Sequence, residues 1–200
     1  KRGSHIAQEP GNGSSHYCHA DLNGVRYPVP FHGAKEIPRG LRTRICKDME
    51  RLNAFTVDVE DGISIAMRDY LKVEMAPTER VVTNTERIID LLGNHNIRGT
   101  FFILGEVAKR FPQLVRMISQ YGHEIGVHSY SHRLYFKLTG GEIRKELRNA
   151  KALLEDITGK RIYGHRAPAF SIIPENGWTL KIIEEEGFTY DSSIMPARTG

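Results

Sequence analysis

The segment Gly99–Leu104, GTFFIL, ends in four consecutive apolar side chains. A strand with no polar face must be covered on both sides, which is the condition of a strand inside a parallel sheet. Its flanks supply the covers. Thr78–His95 reads as a helix, with Thr78 as cap, Glu79 in the first turn and a stripe of Val81, Val82, Thr85, Ile88, Ile89 and Leu92. Glu106–Tyr121 reads as a second helix, in which Pro112 marks a break or a new first turn.

The same alternation runs along the chain. Asn53–Val59, NAFTVDV, sets Phe55, Val57 and Val59 against Thr56 and Asp58 at period two, which predicts a strand. His123–His128 is a short third strand. Thr139–Ile157 opens with a Thr139/Glu142 capping box, carries Ile143, Leu147, Ala150 and Leu154 on one face, and stops at Gly159. Arg161–His165 is a fourth strand, Glu175–Glu186 a helix closed by Gly187, and Phe188–Asp191 a fifth strand. Strands alternating with helices imply βαβ units and a parallel sheet, the α/β class. No dinucleotide-type Gly-rich turn follows the first strand, which favours a barrel over a doubly wound sheet. In such a barrel Asp58 faces the interior, and chemistry sits at the C-terminal ends of the strands.

Those ends carry the polar clusters. The first strand ends in Asp58-Val59-Glu60-Asp61-Gly62, where three carboxylates in four residues repel unless a cation or an arginine shares the site. The third ends in His128, with His132 one helical turn on. Imidazoles at i and i+4 can face one point, and neutral imidazole binds Zn²⁺ at ~2.0–2.1 Å. The fourth ends in His165-Arg166-Ala167-Pro168 and the fifth in Tyr190-Asp191-Ser192-Ser193. Two histidines and a carboxylate form a catalytic zinc set with a position left open. A further carboxylate beside them can act as general base, held ionised by Arg166. Singly, each cluster has a plainer reading as a turn, a surface HxxxH or a salt bridge. Their joint placement on successive strand ends argues for a site. His123 begins its strand, at the opposite end, and reads as structural; His95 and His165 read as structural or peripheral.

Composition narrows the partners. No run approaches the ~18 apolar residues of a membrane span, and no apolar h-region follows the basic start. A cytoplasmic location is the expectation, for a chain that begins with Lys1 rather than Met. Of 28 Lys/Arg and 24 Asp/Glu, residues 1–48 hold eight and four, leaving 20 of each in a neutral remainder. A basic face for nucleic acid is therefore not indicated. Cys18 and Cys46 form no CxxC pair, and His16-Tyr17-Cys18-His19 reads as incidental. Residues 1–48 lack sustained periodicity and read as an irregular or disordered N-terminal extension, with Met49 as a natural start of the domain 49–200.

Gly122–His132, GHEIGVHSYSH, closely resembles the metal-binding motif of the polysaccharide deacetylases, the NodB-type carbohydrate esterases of family four. Thr100–Gly105, TFFILG, is similar to that family's second strand, and Arg166-Ala167-Pro168 to its Arg-x-Pro motif. VDVED, RAPAFSI and YDSSI are most similar to the branch from bacterial exopolysaccharide loci. The resemblance implies a distorted (β/α) barrel with fewer than eight strands. It also implies metal-dependent removal of N-acetyl groups from the amino sugars of a polysaccharide or oligosaccharide, with Zn or another divalent metal such as Co. His128 and His132 become metal ligands and Arg166 the tether of the catalytic aspartate. Asp191 falls near the aspartate that orients a catalytic-acid histidine. Pro168 and Ala169 become substrate-binding residues at the acetyl pocket, where residues after Pro168 offer backbone N–H to the oxyanion.

The family's usual Thr-Phe-Asp-Asp-Gly, base then ligand, is replaced here by Val57-Asp58-Val59-Glu60-Asp61-Gly62. Anchoring on the strand makes Asp58 the base and Glu60 the ligand; anchoring on Gly62 makes Glu60 the base and Asp61 the ligand. Strand alternation puts Asp58 and Glu60 on one face and favours the first. The last family motif, with the catalytic-acid histidine, and the final strands are expected beyond residue 200, so the domain 49–200 reads as truncated at its C-terminus. Two other functions fit the same scaffold: an allantoinase-like hydrolase of a small cyclic amide, and a non-catalytic carbohydrate-binding remnant of the barrel.

Overall fold

The computed structural model describes residues 54–194 and, for the backbone alone, two strands that precede them. The chain divides into two units, Lys1–Asn53 and Ala54–Gly200. In the first, β1 (His16–Leu22) and β2 (Val25–Phe31) pair antiparallel, with His16 opposite Phe31 and Leu22 opposite Val25. The intervening sequence is Asn23-Gly24, a dipeptide favoured between hairpin strands. Part of the segment expected to be irregular is thus paired strand. Pro28 and Pro30 interrupt its alternation and hide it from a periodicity reading. Cys46 and Met49 lie outside the described residues.

The second unit is a five-stranded parallel sheet of β3 (Thr56–Val59), β4 (Thr100–Ile103), β5 (Glu124–Val127), β6 (Gly164–His165) and β7 (Tyr190–Asp191). Spatial order follows chain order, β3-β4-β5-β6-β7. Every crossover therefore advances the sheet in one direction, as in the wall of a (β/α) barrel, whereas a doubly wound sheet reverses. The fold is α/β, as the alternation predicts. The helices are α1 (Gly62–Leu71), α2 (Arg80–Asn94), α3 (Gly105–Arg110), α4 (Pro112–Gln120), α5 (Gly140–Thr158) and α6 (Thr179–Glu185). Pro112 opens α4, where its missing N–H costs nothing. Helix α1 has no counterpart in the sequence reading, because it buries Ser64 rather than an apolar stripe and is set by its cap, Asp61.

The register assigns the two faces of the sheet. Val59, Ile103, Val127, His165 and Asp191 are aligned across it. The first three are buried in one core with Ile143, Leu147, Ala150 and Leu154 of α5, so this row faces the helices. The preceding row, Asp58, Phe102, Gly126, Gly164 and Tyr190, faces the other way. Its two glycines make room for its two rings. A Cβ on Gly126 would lie 2.5 Å from Phe102 Cδ1, and one on Gly164 would collide with the Tyr190 hydroxyl. The Phe102 and Tyr190 rings meet edge to face, centroids 6.5 Å apart. Gly126→Ala therefore overpacks this face, and urea unfolding should show a stability loss of about 1–3 kcal/mol.

Candidate active site

Where β3 ends, the Glu60 carboxylate meets both histidines. Glu60 Oε2 lies 3.1 Å from His128 Nε2 and 2.9 Å from His132 Nε2. The three donor atoms are within 4.8 Å of one another. His128 follows β5, and its main-chain N–H continues the ladder to the Ile103 carbonyl at 3.0 Å. Its ring Nδ1 is 2.9 Å from the Arg166 carbonyl oxygen. A carbonyl can only accept, so Nδ1 carries a proton, and in the neutral ring Nε2 turns its lone pair toward Glu60. A lone pair and a carboxylate at that distance repel unless a proton or a cation lies between them. Burial works to raise the Glu60 pKa, but when the two rings carry a second proton their hydrogen bonds and charges outweigh it and hold the carboxyl well below its usual range. Two imidazole nitrogens and an anionic oxygen converging on one point form a donor set suited to zinc or a similar divalent ion.

His132 reaches this point differently from the expected helical turn. Ser129 and His132 both have left-handed backbone, φ 65° and 57°. The segment is a tight loop, braced from outside by Glu146 of α5. The sequence reading gives Glu146 no role. Its one signal is a position three residues after Ile143, on the flank of the apolar stripe.

Arg166 organises the other half of the site. Its Nη1 donates to Asp58 Oδ1 at 2.9 Å, and its Nη2 to Thr56 Oγ1 at 3.1 Å and Ser192 Oγ at 2.8 Å. Its guanidinium carbon sits 4.3 Å from the Phe102 ring centroid. Asp58 and Glu60 thus take separate partners, Arg166 and the histidine pair. Asp61 joins neither. It is 4% exposed and caps α1, accepting from Ile63 N at 2.9 Å and from Thr78 N. Burial would raise its pKa, but hydrogen bonds from Thr78, Ile63 and Ser64 prevail and lower it. The geometry separates the two adjacent acids because the chain leaves the sheet for the helix between them.

Asp191 is likewise not brought to this face. It shares the helix-facing row with His165, whose Nδ1 is 2.7 Å from Asp191 Oδ1. Ser193 donates to Asp191 through both N–H (2.9 Å) and Oγ (2.7 Å). The other nitrogen of His165 is 2.9 Å from the Tyr135 hydroxyl. His165 is fully buried, and burial lowers its pKa against the opposing pull of Asp191. Sequence order placed Asp191 at the rim; register parity turns it to the helices. Pro168 and Ala169 open a short 3₁₀ turn, Pro168–Phe170, separated from Arg166 by Ala167 alone. Ala169 (φ 48°) and Phe170 (φ 52°) are successive non-glycine residues in left-handed backbone, a strain of about 1–3 kcal/mol each that marks functional turns. His123 is structural, as expected: it accepts from Gly99 N at 3.2 Å and packs on Phe101.

Comparison with known proteins gives these side chains a context. A family model described as polysaccharide deacetylase matches residues 70–190. A peptidoglycan-N-acetylglucosamine deacetylase of Bacillus cereus is 40% identical over 104 residues, 52% of this chain. The match spans 37% of that relative, well under two thirds of its length. A Mycobacterium smegmatis structure assigned as a polysaccharide deacetylase superposes with a TM-score of 0.61 at 31% identity, covering 71% of this chain and 50% of the other. A pseudoenzyme of carbohydrate esterase family four from Bacillus anthracis superposes with a TM-score of 0.53 at 25% identity, covering 69% and 41%. The family-model match includes His128, His132 and Arg166 and begins after Asp58 and Glu60, so geometry alone ties those carboxylates to the site.

Asp61 provides a test of the division among the acids. A carboxyl lowered on folding stabilises above its ordinary value of 3.8 and loses that contribution as pH falls through the folded value. Asp61→Asn should lower stability at neutral pH by about 1–3 kcal/mol. In urea unfolding the gap to the parent should narrow below pH 3.8, while Co²⁺ affinity stays unchanged.

Proposed function

The chain belongs to the polysaccharide deacetylase family, and from that premise we propose that it is a divalent-cation-dependent hydrolase removing N-acetyl groups from the amino sugars of a polysaccharide. Family membership alone does not carry activity, since a pseudoenzyme shares the fold. The observation that carries the reading is the convergence of Glu60, His128 and His132 beside an Asp58 held by Arg166. These three side chains would hold zinc or cobalt. A cation so held polarises an acetyl carbonyl and lowers the pKa of a water molecule.

Activation of the water and support of the developing oxyanion fall to the chain's own groups. Asp58 takes the proton from the attacking water, and the Arg166 guanidinium fixes the rotamer it needs to do so. Thr56 and Ser192 hold that guanidinium in place from the other side. Pro168 and Ala169 line the acetyl pocket, and the Ala169 amide donates to the oxygen on which negative charge develops. The strained turn that presents this amide supports the assignment. His165 cannot protonate the leaving amine, because it is fully buried on the helix side of the sheet. The B. cereus relative's named substrate supports N-acetylhexosamine units as the sugar class.

The test uses a full-length form of the protein loaded with Zn²⁺ or Co²⁺, with acetate release measured on chito-oligosaccharides, peptidoglycan fragments and an acetylated exopolysaccharide. Asp58→Asn should lower kcat by about 10²–10⁴-fold with cation content retained. His128→Ala should lose the cation, and full activity in that variant would overturn the metal role. Hydrolysis of allantoin without acetate release, or sugar binding without turnover, would overturn deacetylation.

A further inference from the structure

His128 and His132 can share one cation only if the three residues between them hold a particular shape. That shape is not intrinsic. Ser129 and His132 are both left-handed, a conformation that costs a non-glycine residue about 1–2 kcal/mol. Something outside the loop must therefore stabilise it.

We propose that Glu146, on α5, is a positioning residue for the cation site: its carboxylate folds the 129–131 loop and thereby sets the separation and aim of His128 and His132. Glu146 Oε2 accepts from Ser129 Oγ at 2.9 Å, Tyr130 N at 3.0 Å and Ser131 N at 2.8 Å. Its Oε1 accepts from Ser131 Oγ at 2.8 Å. One side chain thus takes four hydrogen bonds from three successive residues. The Tyr130 and Ser131 amides, following left-handed Ser129, form the kind of backbone concavity that binds anions.

The loop's carbonyls are tied down as well. Gly105 N donates to the Ser129 carbonyl at 3.1 Å and Glu106 N to the Tyr130 carbonyl at 2.9 Å. These are the first amides of α3, whose close approach needs Gly105, since a Cβ there would collide with the Tyr130 ring. The loop is therefore clamped between the start of α3 and one carboxylate of α5. Glu146 is fixed in turn because its neighbours Ile143 and Leu147 are fully buried. Four converging donors require an acceptor-only group. An ionised carboxylate offers about four lone-pair sites, whereas Gln offers one acceptor oxygen and an NH₂ that can only donate.

This inference rests on the reading of Glu60, His128 and His132 as a cation site. Its test is binding of Co²⁺ alone, followed by visible absorption and chelator competition in the full chain. The parent should bind. Glu146→Gln should weaken Co²⁺ affinity by about 10–100-fold and change the ligand-field spectrum. Ser131→Ala, which removes one of the four bonds, should weaken it in the same direction by a smaller factor. Thr139→Ala is the control: it removes the cap of the same helix and leaves the loop untouched. It should lower stability and spare Co²⁺ affinity. Parental affinity in both Glu146→Gln and Ser131→Ala would overturn the proposal. An equal loss in Thr139→Ala would also overturn it, by tracing the effect to helix stability. Absence of Co²⁺ binding in the parent would instead overturn the cation-site reading beneath it.

Discussion

Arg166 joins the two halves of the site through two different parts of itself. Its carbonyl receives the His128 Nδ1 proton and so decides which ring nitrogen is left to face Glu60. Its guanidinium takes Asp58 and Thr56 on β3 and Ser192 after β7, and lies on the Phe102 ring of β4. Residues from four strands or their ends are thus referred to one residue, which is 8% exposed. A desolvated guanidinium with a single partner removed leaves an uncompensated charge, a loss of about 3–5 kcal/mol for buried pairs. The positions of Asp58, His128 and the sheet face therefore vary together. Gly126 belongs to the same chain of support, since its missing side chain is the space in which Phe102 lies.

Charge explains how four acids in this region take four unlike tasks. Glu60 is held anionic by two imidazoles. Asp58 is held by an arginine, Asp61 by the amides of a helix start and of Thr78, and Glu146 by a loop. Each carboxylate is matched to a different kind of donor, and under the proposed function that donor sets whether it ligates, removes a proton, caps or braces. A cation at Glu60, His128 and His132 would add its binding free energy to folding, because the unfolded chain has no such preformed set.

The elements with strong local periodicity were legible: GTFFIL, the stripes of α2 and α5, the Thr139 capping box and the break at Pro112. So were the histidine pair and the placing of Arg166 beside a carboxylate of the first strand end. What escaped had weak local signals. Helix α1 buries a serine instead of an apolar stripe, and the β1–β2 ribbon carries two prolines in one strand. Asp191 was placed by its position at a strand end, yet register puts it in the helix-facing row beside His165. Glu146 looked like one more charge on a helix flank.

By itself the sequence determined the class of fold and the strand ends where chemistry gathers, because periods of 2 and 3.6 residues express contacts between near neighbours in the chain. Tertiary structure alone decided which acid joins the histidines, which imidazole nitrogen faces it, and which face of the sheet Asp191 occupies. Those outcomes depend on contacts that span the chain, 68 residues between Glu60 and His128 and 108 between Asp58 and Arg166. A one-residue change in register would reverse the faces while leaving the local pattern the same.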